Sequence, residues 1–205
     1  MHITETTTSN GTTSDGTTYD GTTSSRGGGT DPAPDLPVGS HRPAVDLRDP
    51  AQLARVERSI RRHRFAVLSS VSPAGFPHAA GIVYSTVGTT LYVHTMRASR
   101  KAANIAADGR VAVVIPTRSI PFAPPFNVQF QARATLLDLD DPEIVRAVDS
   151  GRLKGIIGHG ALEEPDGCFI RIVPNGRVHT YGIGVSTLAV ARDPLHSGDR
   201  VVDVR

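Results

Sequence analysis

The segment Leu91–Asn104 (LYVHTMRASRKAAN) concentrates residue types that bind anions. It reads as a strand ending at His94-Thr95, a short turn, and a helix opening at Ser99-Arg100-Lys101. Ser99 suits an N-cap, because its hydroxyl can accept from an amide of the first helical turn. That turn leaves N–H groups free and carries about half a positive charge from the aligned peptide dipoles. Arg100 and Lys101 add two cations at the end of the helix where cations are normally unfavourable, so a bound anion would offset them. Such a site suits a phosphate. A solvated basic turn has the same composition, and this stretch alone leaves both readings open.

The elements that must position these residues follow from pattern. Residues 1–40 are dominated by Thr, Ser, Gly, Asp and Pro, with almost no large aliphatic side chain. They cannot bury enough apolar surface to offset chain entropy and are expected to be a disordered tail. No apolar run of signal-peptide or membrane-span length is present, so a cytoplasmic location without membrane association is expected. A single cysteine, Cys168, rules out an internal disulfide framework and any multi-cysteine metal site, and is expected to be a buried thiol. The net charge of +2 does not by itself argue for nucleic acid. The basic run RVERSIRRHR (Arg55–Arg64) reads as the polar face of an amphipathic helix, with Leu53, Val56 and Ile60 as its apolar stripe. No aromatic interleaving turns it into a nucleic-acid surface.

Order is expected to begin near Asp46, with Asp49-Pro50 opening a helix to about His63. Phe65–Val71 and Pro77–Ser85 form a hairpin, and Thr90–Thr95 adds a third strand. Gly109 is placed as a left-handed C-cap after the Ser99–Asp108 helix. Val111–Ile115 reads as a strand buried on both faces, and the proline-rich stretch 116–126 as a loop. Asn127–Leu137 alternates: Val128, Phe130, Ala132, Ala134 and Leu136 face one way and polar residues the other. Asp141-Pro142 starts another short helix. Pro174-Asn175-Gly176 predicts a hairpin between Cys168–Val173 and Arg177–Ile183, and Leu188–Val190 a short strand. Together these describe a mainly β, six- or seven-stranded antiparallel barrel with short helices over 46–183, followed by an extension, 184–205.

The ordered set Gly75-Phe76-Pro77, LYVHT, Ser99-Arg100-Lys101-Ala102, GRVAVVI and NVQFQARATLL resembles the pyridoxamine 5'-phosphate oxidase-like family of flavin-binding split barrels. The resemblance runs from about Val56 to Tyr181. It implies a homodimer with a cofactor at the subunit interface. It implies that His94 and Thr95 approach the flavin phosphate or ribityl chain, that Arg100 and Lys101 hold the phosphate, and that Asn127 reaches the cofactor. The backbone of Ala80, Gly81, Ile82, Val83 and Tyr84 would border the ring system. The vitamin B6 oxidases carry an arginine and a lysine where this chain has Ala80 and Ser85, and Arg177-Val178-His179 lies in a different context from their arginine–histidine signature. B6 oxidase activity is therefore not expected.

The implied activity is hydride transfer to or from a small unsaturated organic molecule, using FMN or, alternatively, the deazaflavin coenzyme F-420. For the deazaflavin's acidic tail, Arg97, Arg100, Lys101 and Arg118 are the candidate groove. A flavin- or haem-binding protein without turnover is the second reading, and a dimer whose basic first helix binds an acidic partner the third. Haem or metal ligation by His94 and His179 lacks a third clustered ligand, so no metal site is expected. No side-chain nucleophile is called for, since the cofactor carries the chemistry. His78, Tyr84, His159, Phe122 and Phe126 are possible substrate contacts, with solvent exposure or core packing the commoner outcome for His78 and Tyr84.

Overall fold

A computed structural model describes residues 49–118, 126–158, 160–193 and 197–204. The expected tail, His159, Phe122 and the side chain of Arg118 lie outside the described residues.

The first helix, α1 (Pro50–Arg62), starts as the Asp-Pro pair dictates: Asp49 Oδ1 accepts from Ala51 N at 2.8 Å, and Pro50 needs no donor. Gln52, Val56 and Ile60 form its buried stripe. Strands β1 (Phe65–Val71), β2 (Pro77–Val83), β3 (Ser85–Val87) and β4 (Thr90–Met96) follow, then α2 (Arg100–Ala107) and the long strands β5 (Arg110–Arg118) and β6 (Phe126–Leu137). After α3 (Pro142–Asp149) come β7 (Gly167–Tyr181), α4 (Thr187–Arg192) and β8 (Asp199–Asp203).

Seven strands pair antiparallel in the order β2-β1-β5-β6-β7-β4-β3, and β8 adds to β7. The two edge strands of this path, β2 and β3, are separated in the chain by Tyr84 alone. The sheet therefore curls until its edges meet at that residue, which makes the expected split barrel. Tyr84 fastens the seam. Its N–H donates to the Arg64 carbonyl at 2.9 Å and its hydroxyl to the Ile60 carbonyl at 2.8 Å, one of the orphan acceptors at the end of α1. Removing that hydroxyl in Tyr84→Phe is expected to cost about 1–3 kcal/mol in thermal or denaturant unfolding, because a buried acceptor loses its partner.

The barrel interior is filled by Leu68, Ile82, Leu91, Val113, Val128 and Ile172, with α1 closing it through Val56 and Ile60. A second cluster, Tyr92, Ile144, Leu153 and Phe169, lies under α3 on the outside of β4 and β7. This is why Cys168, Phe169 and Ile170 are all buried although they alternate in direction. Burial also raises the Cys168 thiol pKa, as expected for an inert core thiol.

Several local expectations are corrected. Helix α2 ends at Asp108 in an extended conformation, and Gly109 has no left-handed φ. Glycine is needed there for approach instead: a Cβ would lie 2.5 Å from the Ala134 carbonyl oxygen, while Gly109 O accepts from Ala134 N at 2.7 Å. Strand β5 is buried on one face only, with Ala112 exposed, and it runs on through Pro116 by way of a bulge against β6. Asn175-Gly176 makes no hairpin. Both halves of β7 stay paired with β6, and the pair becomes a bulge with Gly176 at φ 91°. Residues 187–192 are helical, and β8 brings the expected extension into the sheet with Val202 fully buried.

Candidate functional site

The seam that closes the barrel is short. Ser85–Val87 pairs with Thr90–Tyr92, but beyond Tyr84 strand β2 and strand β4 diverge. A cavity of about 240 Å³ occupies the gap, lined by Gly81, Ile82, Val83, Val93, His94, Lys101 and Ile156. Because β2 is an edge strand, the backbone groups that do not bond β1 face this gap. The exposed rings and methyls of Phe65 and Val83, direct cross-strand partners, form an apolar rim.

Lys101 reaches the cavity from the first turn of α2. That turn is built as the sequence dictates: Ser99 Oγ accepts from Ala102 N at 3.3 Å and lies 3.2 Å from Thr95 Oγ1. The Ser99 cap and the Ala103 N–H to Ser99 carbonyl bond leave the N–H groups of Arg100 and Lys101 outside the intrahelical ladder. Asn104, buried, donates to Ser70 Oγ at 3.1 Å and locks α2 onto β1.

His94 sits at the strand end, its ring edge-on to Phe169 at 5.4 Å between centroids. Its Nε2 is buried and has no hydrogen-bond partner among the described residues. Burial lowers its pKa below the ordinary 6.5, opposed by the Ala161 carbonyl and Glu164. The neutral imidazole therefore dominates at pH 7. The sign follows for stability: above about 6.5 neither state carries the proton, and as pH falls through that value only the unfolded chain takes it up. Stability is thus full at neutral pH and falls on acidification. The His94→Asn variant is expected to flatten that part of the pH profile of the unfolding midpoint.

Of the sequence-derived candidates, the structure brings Gly81, Ile82, Val83, His94 and Lys101 around one cavity. Ala80 is half-buried on the same strand, and Thr95 and Ser99 stand behind as the hydroxyl pair that shapes the turn. Arg100 is exposed beside the cavity and not part of its lining. Tyr84 does not line the cavity: its side chain is committed to α1 and its N–H to the Arg64 carbonyl just before β1, and burial pushes its phenol too high to act as an acid near neutrality. His78 is half-buried further along β2 and does not line the cavity.

Asn127 is not brought there by its own chain. His94 is level with Phe169 and Leu137 across β4, β7 and β6, whereas Asn127 pairs with Tyr181. Ten residues of β6 separate Asn127 from Leu137, or about 33 Å at roughly 3.3 Å per residue. His179 is similarly remote from His94, and no group of three metal-binding side chains converges among the described residues. Arg97 pairs with Asp138 and does not line the cavity.

Sequence reasoning missed Ile156. It belongs to a glycine-containing turn tied to the core by Leu153, whose carbonyl accepts from Ile156 N at 2.9 Å. The apolar spacing Leu153-Ile156-Ile157 was the available signal.

The donor set fits a phosphate with an attached polar chain and flat ring: a cation, free helix-start amides, an open strand edge and an apolar rim, whereas His94 Nε2 packs toward Gly167, where a Cβ would meet it at 3.0 Å. The cavity falls below the roughly 300–1,000 Å³ of complete small-molecule sites.

The family profile described as pyridoxamine 5'-phosphate oxidase matches residues 53–175. No curated protein matches the chain. Among solved structures, HutZ, the haem storage protein of Vibrio cholerae, is 17% identical with a TM-score of 0.54, over 67% of this chain and 98% of that one. A haem-binding protein of Mycobacterium smegmatis is 19% identical with a TM-score of 0.52, over 65% of this chain and 54% of that one, so the chain spans about half its length. General Stress Protein 26 of Bacillus anthracis is 23% identical with a TM-score of 0.49, over 62% and 92%. At these identities the likeness is one of fold. No helix among the described residues is long and apolar enough to cross a membrane.

Proposed function

The chain belongs to the pyridoxamine 5'-phosphate oxidase family, and from that premise we propose that it is a flavin- or deazaflavin-dependent oxidoreductase acting on a small unsaturated organic substrate. The observation that carries the reading is the convergence of Lys101, His94 and the free edge of Gly81–Val83 on the gap where the barrel splits. FMN is the cofactor of choice, with coenzyme F-420 the alternative. Lys101 and the amides at the start of α2 would hold its phosphate. The β2 edge would meet the polar edge of the ring system, and Phe65 with Val83 would cover its apolar part. The bound ring supplies hydride chemistry, and the protein orients it and excludes water.

This reading requires a second copy of the chain. One protomer's cavity is too small for a whole cofactor, and its own Asn127 lies at the opposite end of β6. In a homodimer, Asn127 of one copy would complete the site built on Lys101 of the other. Complementation tests this directly. Lys101→Ala and Asn127→Ala should each weaken FMN at all sites, whereas mixed dimers of the two variants should regain tight binding at half of them. If mixing restores nothing, the two residues do not share a site.

His94 favours a second reading, a haem-binding protein without turnover. A neutral imidazole with an unpaired Nε2 is the ligating form, and two structural neighbours are named for haem. Reduction of a conjugated enone by the FMN-loaded, reductant-fed protein supports the oxidoreductase, and a Soret band with no such turnover supports haem.

A further inference from the structure

Helix α1 carries a feature that the barrel cleft does not use. Arg55, Arg58 and Arg62 fall at spacings of three and four residues and share one helix face. With His63, Phe126 and Ile183 they line a cavity of about 520 Å³ between α1, the end of β5 and the start of β6. Among the described residues no acidic side chain lines it and none of the three arginines forms an ion pair. Three guanidinium groups so placed repel one another, and the helix tolerates them most easily when an anion lies across them.

The walls are fixed rather than fluid. Gln52, 6% exposed, donates through Nε2 to the Ile183 carbonyl at 2.9 Å and offers its Oε1 to Arg55 Nη1 at 3.5 Å. It sets an apolar wall and a guanidinium side by side. On the opposite side, the two ring nitrogens of His63 lie 2.7 Å from the Ser59 and Thr117 carbonyls, so this ring braces β5 against α1 and has no nitrogen to spare for a ligand. Phe126, 7% exposed, contributes ring surface to the same hollow.

We propose that this groove is a second anion site, separate from the barrel cleft, that binds an organic phosphate. The phosphate lies across Arg55, Arg58 and Arg62, and the apolar or aromatic part of the ligand rests on Ile183 and Phe126. The arginines extend over about 10 Å of helix axis at roughly 1.5 Å per residue, so a phosphate bridges two of them at a time and a diphosphate reaches all three. Guanidinium forks suit this geometry better than lysines, because each presents paired donors to phosphate oxygens. Within one chain no residue lining the groove lines the cleft, and the Lys101→Ala arm of the test below separates the two.

Calorimetric titration of the full-length protein with 1-naphthyl phosphate and with inorganic phosphate tests it. The aryl phosphate is expected to bind more tightly than inorganic phosphate. Arg55→Gln/Arg58→Gln/Arg62→Gln is expected to weaken it at least about tenfold, less than two buried charge-assisted bonds would give, because these guanidinium groups are exposed to water. Arg61→Gln, on the same helix but outside the groove, should leave binding unchanged, and so should Lys101→Ala. If the triple variant does not fold, Arg58→Gln alone carries the test, with a loss of a few fold expected. No binding, equal loss in Arg61→Gln, or loss in Lys101→Ala would each overturn the assignment. The last outcome would return the phosphate to the cleft, and FMN titration of the triple variant separates the two sites.

Discussion

Replacing Lys101 by alanine is expected to weaken FMN binding by about ten- to a hundredfold, because a charge-assisted hydrogen bond to phosphate contributes roughly 1.5–3 kcal/mol. Lys101 is the one α2 cation that lines the cleft, and it is half-buried, so water competes with it less than with an exposed cation. Arg100 is exposed and its removal should cost several-fold less, as surface charges in high dielectric do. The unfolding midpoint of Lys101→Ala without cofactor should match that of the parent chain, since the Ser99 cap and the Asn104 bond that seat α2 remain. The ratio of the two affinity losses is informative. A larger loss from Arg100→Ala would put the phosphate outside the cleft.

Gly109→Val is expected to destabilise the chain strongly. A Cβ at this position would meet a backbone oxygen, that of Ala134, at 2.5 Å. Backbone in the middle of β6 cannot yield as a flexible side chain does. The strand must move, and the 2.7 Å bond from Ala134 N to the Gly109 carbonyl goes with it. Overpacking alone costs about 1–3 kcal/mol, and the lost bond adds about 1 kcal/mol. At roughly 2–4 °C per kcal/mol for a chain of this length, thermal unfolding should begin many degrees lower. Gly75→Ala makes a useful contrast. That glycine has a φ of 82° but open space around a Cβ, so only the strain of left-handed backbone applies there.

The sequence was most legible where one local rule acts without competition. Asp49-Pro50 and Asp141-Pro142 both start helices, each with the aspartate carboxylate on a first-turn amide. The alternation from Val128 to Leu136 maps onto inside and outside of the barrel. Ser99 caps α2 as its type and position require. Local rules failed where a long-range partner decided the outcome. Asn175-Gly176 has hairpin chemistry, yet β6 offers a continuous partner to both flanking segments, so the pair becomes a bulge. Pro116 lacks a donor, but a register shift beside it lets β5 continue. Leu188–Val190 is too short for its periodicity to separate strand from helix.

The candidate site divided along the same line. Cap, lysine and strand end are close in sequence, and their proximity could be read directly. That β2 meets β4 only through the brief β3 seam, leaving a gap beside Gly81–Val83, is a property of the curled sheet and not of any segment. Tyr84 ends the segment whose backbone is implied to border the ring, and its side chain turns toward α1, with its hydroxyl bound to the Ile60 carbonyl. The register puts Asn127 far from Lys101 within one chain, so a site shared by the two would need a second copy.

The most direct test is an absorbance and fluorescence titration of the purified chain with FMN, coenzyme F-420 and haem, each added separately. Saturable binding of FMN or F-420, with perturbed ring absorbance and about one cofactor per chain, is the predicted result. Saturation by neither, or a Soret band that FMN does not displace, would contradict a flavin-type redox site at the split of the barrel.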